Sequence, residues 1–381
     1  MSSARNIKVM QIIARMNVGG PAVIVADLMR GLDSTKFQQI LVTGFCDENE
    51  ADYLDTVATD VTATRIAGLG RSISPLADAR AFFALAAMIK CEQPDVIHTH
   101  TAKAGVLGRL AAMIAGSKAT RIHTFHGHLL HGYFAGWKTK LVIAIEKFLA
   151  SHTNYLIAVG NQVKDDLLAA GIGKAAQYRV FFPGLPTPNT SSKSQCRSNF
   201  GLESEKIYCT FVGRLTQIKR PDRLLDVAAA SVARGLDIQF LVAGEGELFE
   251  DSQQRARNEK LPITFLGWRK DINELFAASD IAILTSDNEG IPLTLIQAAQ
   301  AGLPIIAPRV GSIADIVIDG QTGYLTSTQP GAMASALSAL VSDVALRQKL
   351  GAAGKAHADT YFSLDKSLND HSNLYVFSQE K

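Results

Sequence analysis

The stretch LTSDNEGIPLTLIQAAQAG, Leu284 to Gly302, reads as the end of an apolar strand, an acidic turn holding Asp287 and Glu289, and then a helix. The helix is expected to open on Gly290-Ile291-Pro292 and to carry Gln297 eight positions after Glu289. A strand that hands over to a helix through a short polar turn is half of a βαβ unit, the building block of a parallel sheet.

The same unit recurs in both directions from this stretch. Upstream, β-type runs begin at Ile7 (IKVMQII), Gln38 (QQILVTG), Val61 (VTATRI), Asp95 (DVIHTH), Thr120 (TRIHTF), Tyr155 (YLIAVG) and Tyr178 (YRVFF), separated by Gly-rich turns and helical patterns, one of them started by Ser74-Pro75. PGLPTPNTSSKSQC, from Pro183, has no periodicity and reads as a linker. The pattern restarts with IYCTFVG, IQFLVAG, ITFL, DIAILT, PIIA and GYLT, and ends in a closing helix around YFSLDKSLNDHSNLYVF. At 381 residues the chain exceeds the roughly 250–300 at which a single core stops growing, so two domains are expected. The reading is a first Rossmann-like, doubly wound α/β domain over residues 1–182, a linker over 183–200, a second such domain over 201–362 and a closing helix over 363–381. Two parallel sheets of this kind bind ligands at the carboxyl ends of their strands, so the substrate is expected in a cleft that both domains face.

Composition narrows the function. With 38 Lys and Arg against 36 Asp and Glu the net charge is +2, which argues against a polyanion binder with a wholly basic surface, and no nucleic-acid partner is expected. Cys46, Cys91, Cys196 and Cys209 lie far apart and form no CxxC, which fits a reducing cytoplasm. The apolar run near the N-terminus is a strand rather than a signal peptide, and the longest one, AFFALAAMI from Ala81, is about half the roughly 18 residues that span a bilayer.

Several groups are candidates for chemistry. In ARMNVGGPAVIVADL, Gly19 and Gly20 let backbone amides approach a ligand, and Pro21 suits the first turn of an anion-attracting helix, although a Gly-Gly pair also makes an ordinary tight turn. No GxGxxG with a following ribose-binding acid is present, which counts against a dinucleotide oxidoreductase. In FVGRLTQIKRPDRLL, Arg214 and Lys219 stand between a strand and a helix, where a diphosphate or only water would meet them. The first amides of the later helix, Gly290 to Leu293, would share that diphosphate, with Glu289 just outside and Gln297 two turns deeper, about 12 Å away at helical rise. Six histidines cluster at His98, His100, His123, His126, His128 and His131. No nearby Cys or carboxylate completes a tetrahedral metal set, and a histidine beyond a strand end suits substrate contact, so His126 is the first choice and His98 the second. The segment from Trp137 to Lys147, with Lys138 and Lys140, reads as a helix at a membrane interface or one packed on its own sheet with its lysines in water.

Taken together, NVGGPA, DVIHTHTAKAGVLGRLAA, TFHGHLLHGYF, VGRLTQIKRPDRLL, NEGIPLTLIQAAQAGLPIIA and VIDGQTGYL resemble the family 4 glycosyltransferases, over essentially the whole chain. HTHTAKAG with HGHLLHGYF resembles the bacterial branch that builds lipid-linked surface polysaccharides. The resemblance implies the GT-B fold, two Rossmann-like domains facing across a cleft, and transfer of a hexosyl or N-acetylhexosaminyl group from a nucleotide-sugar, expected to be a UDP-sugar, with retention. It places Gly19-Gly20 against donor phosphate and sugar, His126 against the sugar, Arg214 and Lys219 on the diphosphate, and Glu289 on the transferred sugar. The family's second Glu, which usually binds the ribose, is Gln297 here. FPGLP stands where an Asn-Gly turn is usual, and VGSIAD replaces a Gly-Gly followed by Glu.

No metal or other cofactor is expected, since the basic groups would offset diphosphate charge and the chain has no DxD. The expected acceptor is a glycan or polyprenyl-linked sugar, reached by a cytoplasmic protein in peripheral contact with the inner membrane face. The alternatives are a nucleotide-sugar epimerase and a catalytically inactive nucleotide-sugar-binding protein of the same fold.

Overall fold

The structure, a computed structural model, describes residues 5–48, 50–127 and 137–380. It divides into two compact units, one of Met1–Gly184 with Leu364–Lys381, the other of Leu185–Ser363.

In the first unit the strands are β1 (Ile7–Ile13), β2 (Phe37–Thr43), β3 (Thr64–Arg65), β4 (Val96–His100), β5 (Thr120–Phe125), β6 (Tyr155–Ala158) and β7 (Tyr178–Val180). The helices are α1 (Gly20–Gly31), α2 (Tyr53–Thr56), α3 (Pro75–Glu92), α4 (Ala102–Ile114), α5 (Trp137–Ser151) and α6 (Asn161–Ala169). All strands pair in parallel in the order β3-β2-β1-β4-β5-β6-β7, so the winding reverses between β1 and β4. The expected VTATRI strand shrinks to two residues at the sheet edge.

The second unit holds α7 (Lys193–Asn199), β8 (Tyr208–Val212), α8 (Pro221–Ala233), β9 (Gln239–Ala243), α9 (Phe249–Asn258), β10 (Ile263–Gly267), α10 (Ile272–Ala278), β11 (Ile281–Ile283), α11 (Leu293–Gln300), β12 (Ile305–Pro308), β13 (Gly323–Thr326), α12 (Pro330–Ser342) and α13 (Val344–Tyr361). Its parallel order is β10-β9-β8-β11-β12-β13, reversing between β8 and β11. Helix α14 (Leu364–Phe377) returns to the first unit.

Part of the stretch read as linker is ordered structure of the second unit. Ser192 caps α7 through its side chain, and Leu185 donates its amide to Phe362 O. The apolar residues of α7 are too few to show periodicity, and the cap is the sequence signal that remained.

Both sheets are buried on two faces, and β1 shows how. Met10 and Ile12 pack towards Leu85, Ala104 and Ala111 of α3 and α4, while Val9 and Ile13 point the other way, Val9 towards Leu374 and Tyr375 of α14. Gln11 lies on the Val9 side, fully buried, the polar side chain within the otherwise apolar Val9–Ile13. Helices α4 and α5 are joined by a buried ion pair in which Arg109 donates to both carboxylate oxygens of Glu146 at 2.9 and 2.8 Å.

Candidate functional site

The carboxyl end of β11 leads through Thr285, Ser286 and Asp287 to Glu289. The side chains of Thr285, Asp287 and Glu289 are held by the turn that follows β8 and the start of α8, while Ser286 bonds Glu289 itself. Thr285 Oγ1 donates to the Lys219 carbonyl at 2.9 Å. Asp287 accepts from Arg223 at 2.6 Å and from Arg220 at 3.1 Å. Burial by itself would raise the Asp287 carboxyl, but the Arg223 and Arg220 hydrogen bonds overcome it and hold the group below the usual carboxylate range. Asp287 is thus a structural clamp between the two turns.

Glu289 sits beside this clamp. Its Oε1 accepts from Lys219 Nζ at 2.5 Å and from Ser286 Oγ at 2.6 Å. The exposures of the two ionic side chains are 20% for Lys219 and 11% for Glu289, so the pair is sheltered but reachable. The Glu289 backbone is fixed from the opposite side by the loop after β12, where Ser312 N donates to Glu289 O at 3.2 Å. Gly311 adopts φ 51° there, and a Cβ at this position would lie 1.8 Å from Glu289 O, so glycine is required. VGSIAD therefore departs from the family pattern while keeping one glycine against Glu289.

The helix begins later than the sequence suggests. Gly290, Ile291 and Pro292 are non-helical, Pro292 serves as the N-cap with ψ 118°, and α11 runs from Leu293. Proline disfavours the helical conformation of the residue before it, which places Ile291 outside the helix. Between Glu289 and Gln297 only Leu293 to Gln297 is helical, a rise of about 6 Å rather than 12 Å. The free amides at the helix start begin at Leu293, because Pro292 has none. Gln297, half-buried, donates through Nε2 to Asn273 Oδ1 of α10 at 3.1 Å. Arg214 is exposed, and among the described residues no hydrogen bond or ion pair holds its guanidinium.

In the first unit, Gly19 caps α1 with extended backbone, φ 168° and ψ 168°. An added Cβ would meet only Asn17 O, at an ordinary 3.8 Å, so the fold makes no demand for glycine at this position. His126 follows β5, and its Nε2 lies 3.0 Å from His100 Nδ1. Burial lowers the His126 imidazole to about 3, which keeps it neutral. Its Nδ1 is buried without a partner among the described residues.

His98 is not placed for substrate contact. It is fully buried and both ring nitrogens are engaged, Nδ1 with Tyr375 Oη at 2.6 Å and Nε2 with Thr124 Oγ1 at 2.7 Å. It lies two residues before the strand end, and helix α14 covers that face. His128 and His131, with residues 128–136, lie outside the described residues, as do the side chains of Trp137 and Lys138. Among the described residues no group of three or more His, Cys, Asp or Glu is arranged to hold a metal. Sequence reasoning missed Ser286, Arg223 and Gly311 at the second-unit site. Ser286 alone offered a signal, as a small hydroxyl three residues before Glu289.

The fold has close relatives among solved structures. Anabaena Alr3699/HepE in complex with UDP and glucose superposes with a TM-score of 0.81 at 18% identity, covering 97% of this chain and 99% of that one. Two parallel doubly wound sheets of this kind make up the GT-B fold.

Residues 19–184 match the glycosyl transferase 4-like domain, and residues 192–357 match glycosyl transferases group 1. The UDP-Gal:alpha-D-GlcNAc-diphosphoundecaprenol alpha-1,3-galactosyltransferase of Escherichia coli is 31% identical over 308 residues, 76% of each chain. The capsular polysaccharide biosynthesis glycosyltransferase CapM of Staphylococcus aureus is 22% identical over 80% of this chain and 82% of that one. The chain belongs to this glycosyltransferase family, among relatives from bacterial polysaccharide synthesis.

Proposed function

We propose that this chain transfers a hexosyl or N-acetylhexosaminyl group from a UDP-sugar, with retention, to a polyprenyl-linked glycan acceptor at the inner face of the cytoplasmic membrane. The observation that carries the reading is the Lys219–Glu289 pair, a cation and a carboxylate held together at the carboxyl end of β11 beside the start of α11. A diphosphate arriving there would share Lys219 and leave the Glu289 carboxylate facing the sugar. Support for UDP and for a lipid-linked acceptor comes from the Escherichia coli relative, a UDP-Gal:alpha-D-GlcNAc-diphosphoundecaprenol galactosyltransferase.

In this reading Arg214, Lys219 and the amides from Leu293 take up charge developing on the diphosphate as the bond from the anomeric carbon to phosphate oxygen breaks. The acceptor hydroxyl attacks from the same face, and its proton passes to the departing phosphate oxygen. Glu289 stabilises positive character at the anomeric carbon. Gly19 and Gly20 admit the donor closely, and Gln297 holds the nucleotide. Ile291, buried before the helix, and Gly290 and Pro292 shape the turn that presents Glu289. No divalent ion is required in this scheme, because the cations and helix amides occupy that role.

The membrane contact is assigned to the α4–α5 surface. Leu141 and Phe148 of α5 are 51% and 50% exposed, Ile145 lies between them, and Lys140 and Lys147 are exposed on the same helix. Val106 and Leu110 of α4 extend the apolar patch. Apolar side chains flanked by lysines suit an anionic lipid surface. None of the described helices is long and apolar enough to cross a membrane.

The test is a thermal-shift comparison of UDP, GDP and ADP, followed by transfer assays with and without EDTA. UDP is expected to raise the melting temperature most. Stabilisation by GDP or ADP alone would overturn the donor assignment, and loss of activity on chelation would overturn the metal-free scheme. NMR of the donor incubated without acceptor distinguishes transfer from epimerisation.

A further inference from the structure

A continuous line of hydrogen bonds crosses one face of the first sheet. His126 Nε2 and His100 Nδ1 are 3.0 Å apart, and His100 Nε2 and Gln11 Oε1 are 2.9 Å apart. Gln11 Nε2 donates to Tyr375 Oη at 3.1 Å, Tyr375 Oη meets His98 Nδ1 at 2.6 Å, and His98 Nε2 meets Thr124 Oγ1 at 2.7 Å. Gln11, His98, His100 and Thr124 are buried, on neighbouring strands whose register sets Gln11 beside His98 and His100 beside Thr124. Tyr375 comes from α14 and packs edge-on against Phe37. His371 lies beside His98, but its Nδ1 donates to Ser367 O, so it stands outside the line.

The line has a direction. Burial lowers His98 and His100 well below the usual imidazole value, so each ring is neutral, with one donor and one acceptor nitrogen. The Gln11 carbonyl can only accept, so His100 carries its proton on Nε2 and offers a bare Nδ1. His126 must then donate from Nε2, which leaves its own Nδ1 as a lone pair. At the other end, the Gln11 amide donates to Tyr375, and the Tyr375 hydroxyl donates to His98. Turning the Gln11 amide over would reverse the donors along the line and make His126 Nδ1 a donor. The Tyr375 hydroxyl can take the amide proton and give its own to His98, or accept from His98 and donate to a turned carbonyl, so the orientation of the Gln11 amide sets the sense of the line.

We propose that Gln11, its amide held by Tyr375, is a positioning residue that sets His126 in the tautomer with the proton on Nε2, so that its Nδ1 meets a donor-sugar hydroxyl as a hydrogen-bond acceptor. This rests on the reading of the chain as a transferase whose donor sugar lies against His126. Neither Gln11 nor Tyr375 touches substrate. Their effect reaches it through His100 and His126, and the helix that supplies Tyr375 is the last of the chain.

The direct test is the nitrogen-15 spectrum of histidine-labelled full-length protein, with His126 assigned by its loss in His126→Asn. The wild type is expected to show Nδ1 of His126 unprotonated, and Gln11→Leu and Tyr375→Phe are expected to show both tautomers. In those two variants kcat/KM for the nucleotide-sugar should fall about 3–10-fold, the scale of one hydrogen bond, with UDP affinity unchanged. A general packing defect would lower both. A protonated Nδ1 in the folded wild type overturns the proposal without any variant, as does a tautomer that stays the same in both variants. If the wild type transfers no sugar and binds no UDP, the functional reading fails, while the tautomer still decides whether the line is set as described.

Discussion

Lys219 Nζ donates to Glu289 Oε1 at 2.5 Å, although 70 residues separate them in the chain. Each comes from a turn at the carboxyl end of a central strand, β8 or β11, and these strands pair at the point where the winding reverses. In open parallel sheets this is where ligands bind. The pair sets a carboxylate and a cation against each other at that point.

Removing that cation should be felt in turnover. Arg214→Ala and Lys219→Ala are each expected to lose about 1.5–3 kcal/mol of interaction with the diphosphate, the range for charge-assisted hydrogen bonds. Steady-state kinetics and UDP titration read the effect. Lys219→Ala should be the more severe in kcat, because it also leaves the sheltered Glu289 carboxylate without its cation, and unchanged turnover in both variants would reduce the basic turn to a solvated face.

Glu289 and Gln297 should respond differently. Glu289→Gln is expected to depress kcat strongly with UDP affinity nearly intact, since the carboxylate acts on the sugar as charge develops. Loss of the Gln297 amide in Gln297→Ala should mainly raise the donor KM. Gln297→Glu should tighten UDP, because a carboxylate bonds ribose hydroxyls more strongly, and Asn273 can turn its amide to donate where it now accepts. Calorimetric titration of the variants decides, and weaker UDP binding by Gln297→Glu would mean that the pocket is built around the amide.

The α4–α5 joint should depend on Arg109 and Glu146, which are 1% and 2% exposed. Glu146→Gln leaves a buried guanidinium without its counter-charge and is expected to cost about 3–5 kcal/mol in urea unfolding. Arg109→Met combined with Glu146→Leu should recover most of that loss. A double variant as unstable as the single one would show that the pair itself, rather than the stranded charge, supports the fold.

Asp27 on α1 predicts a pH dependence of stability. Burial raises its carboxyl from 3.8 to about 6, against the pull of Arg30, and its Oδ2 has no partner among the described residues. An acid whose folded value is raised binds more protons in the native state, so stability falls as pH rises from about 4 to about 6. The cost at neutral pH is at most about 3 kcal/mol. Urea midpoints at pH 4 and pH 7 should show Asp27→Asn gaining on the wild type as pH rises, and a constant gap would remove Asp27 as the source.

Membrane association should follow the α5 surface. Vesicle flotation with anionic lipid is expected to recover wild-type protein and to lose a Lys138, Lys140, Lys147 triple Glu variant and a Phe148→Asp variant. Equal flotation of all three proteins would move the contact elsewhere, and full activity on a soluble sugar would argue against a lipid-linked acceptor.

The sequence by itself determined the alternation of strands and helices, because that signal is local: apolar runs of strand length, broken by Gly, Pro and polar turns, recur with the spacing of βαβ units. It also placed Glu289, Lys219 and His126 in the connections that follow strand ends, since each comes after an apolar run of strand length. The late start of α11 was partly legible as well, in the proline at 292, whose effect on Ile291 outweighed the helical pattern around it. Pairings between turns that are distant in sequence were decided only by the tertiary structure. Nothing near Glu289 announces that Lys219 and Gly311 will meet it, and nothing near His98 announces that a tyrosine 277 residues later will cover its ring. Sheet order and the return of the final helix bring these groups together, and both arise from burying two apolar faces of each sheet rather than from any local propensity. The same burial that turned His98 from a candidate contact into an interior residue also gave His126 a fixed hydrogen-bond partner, because a buried polar group must find one.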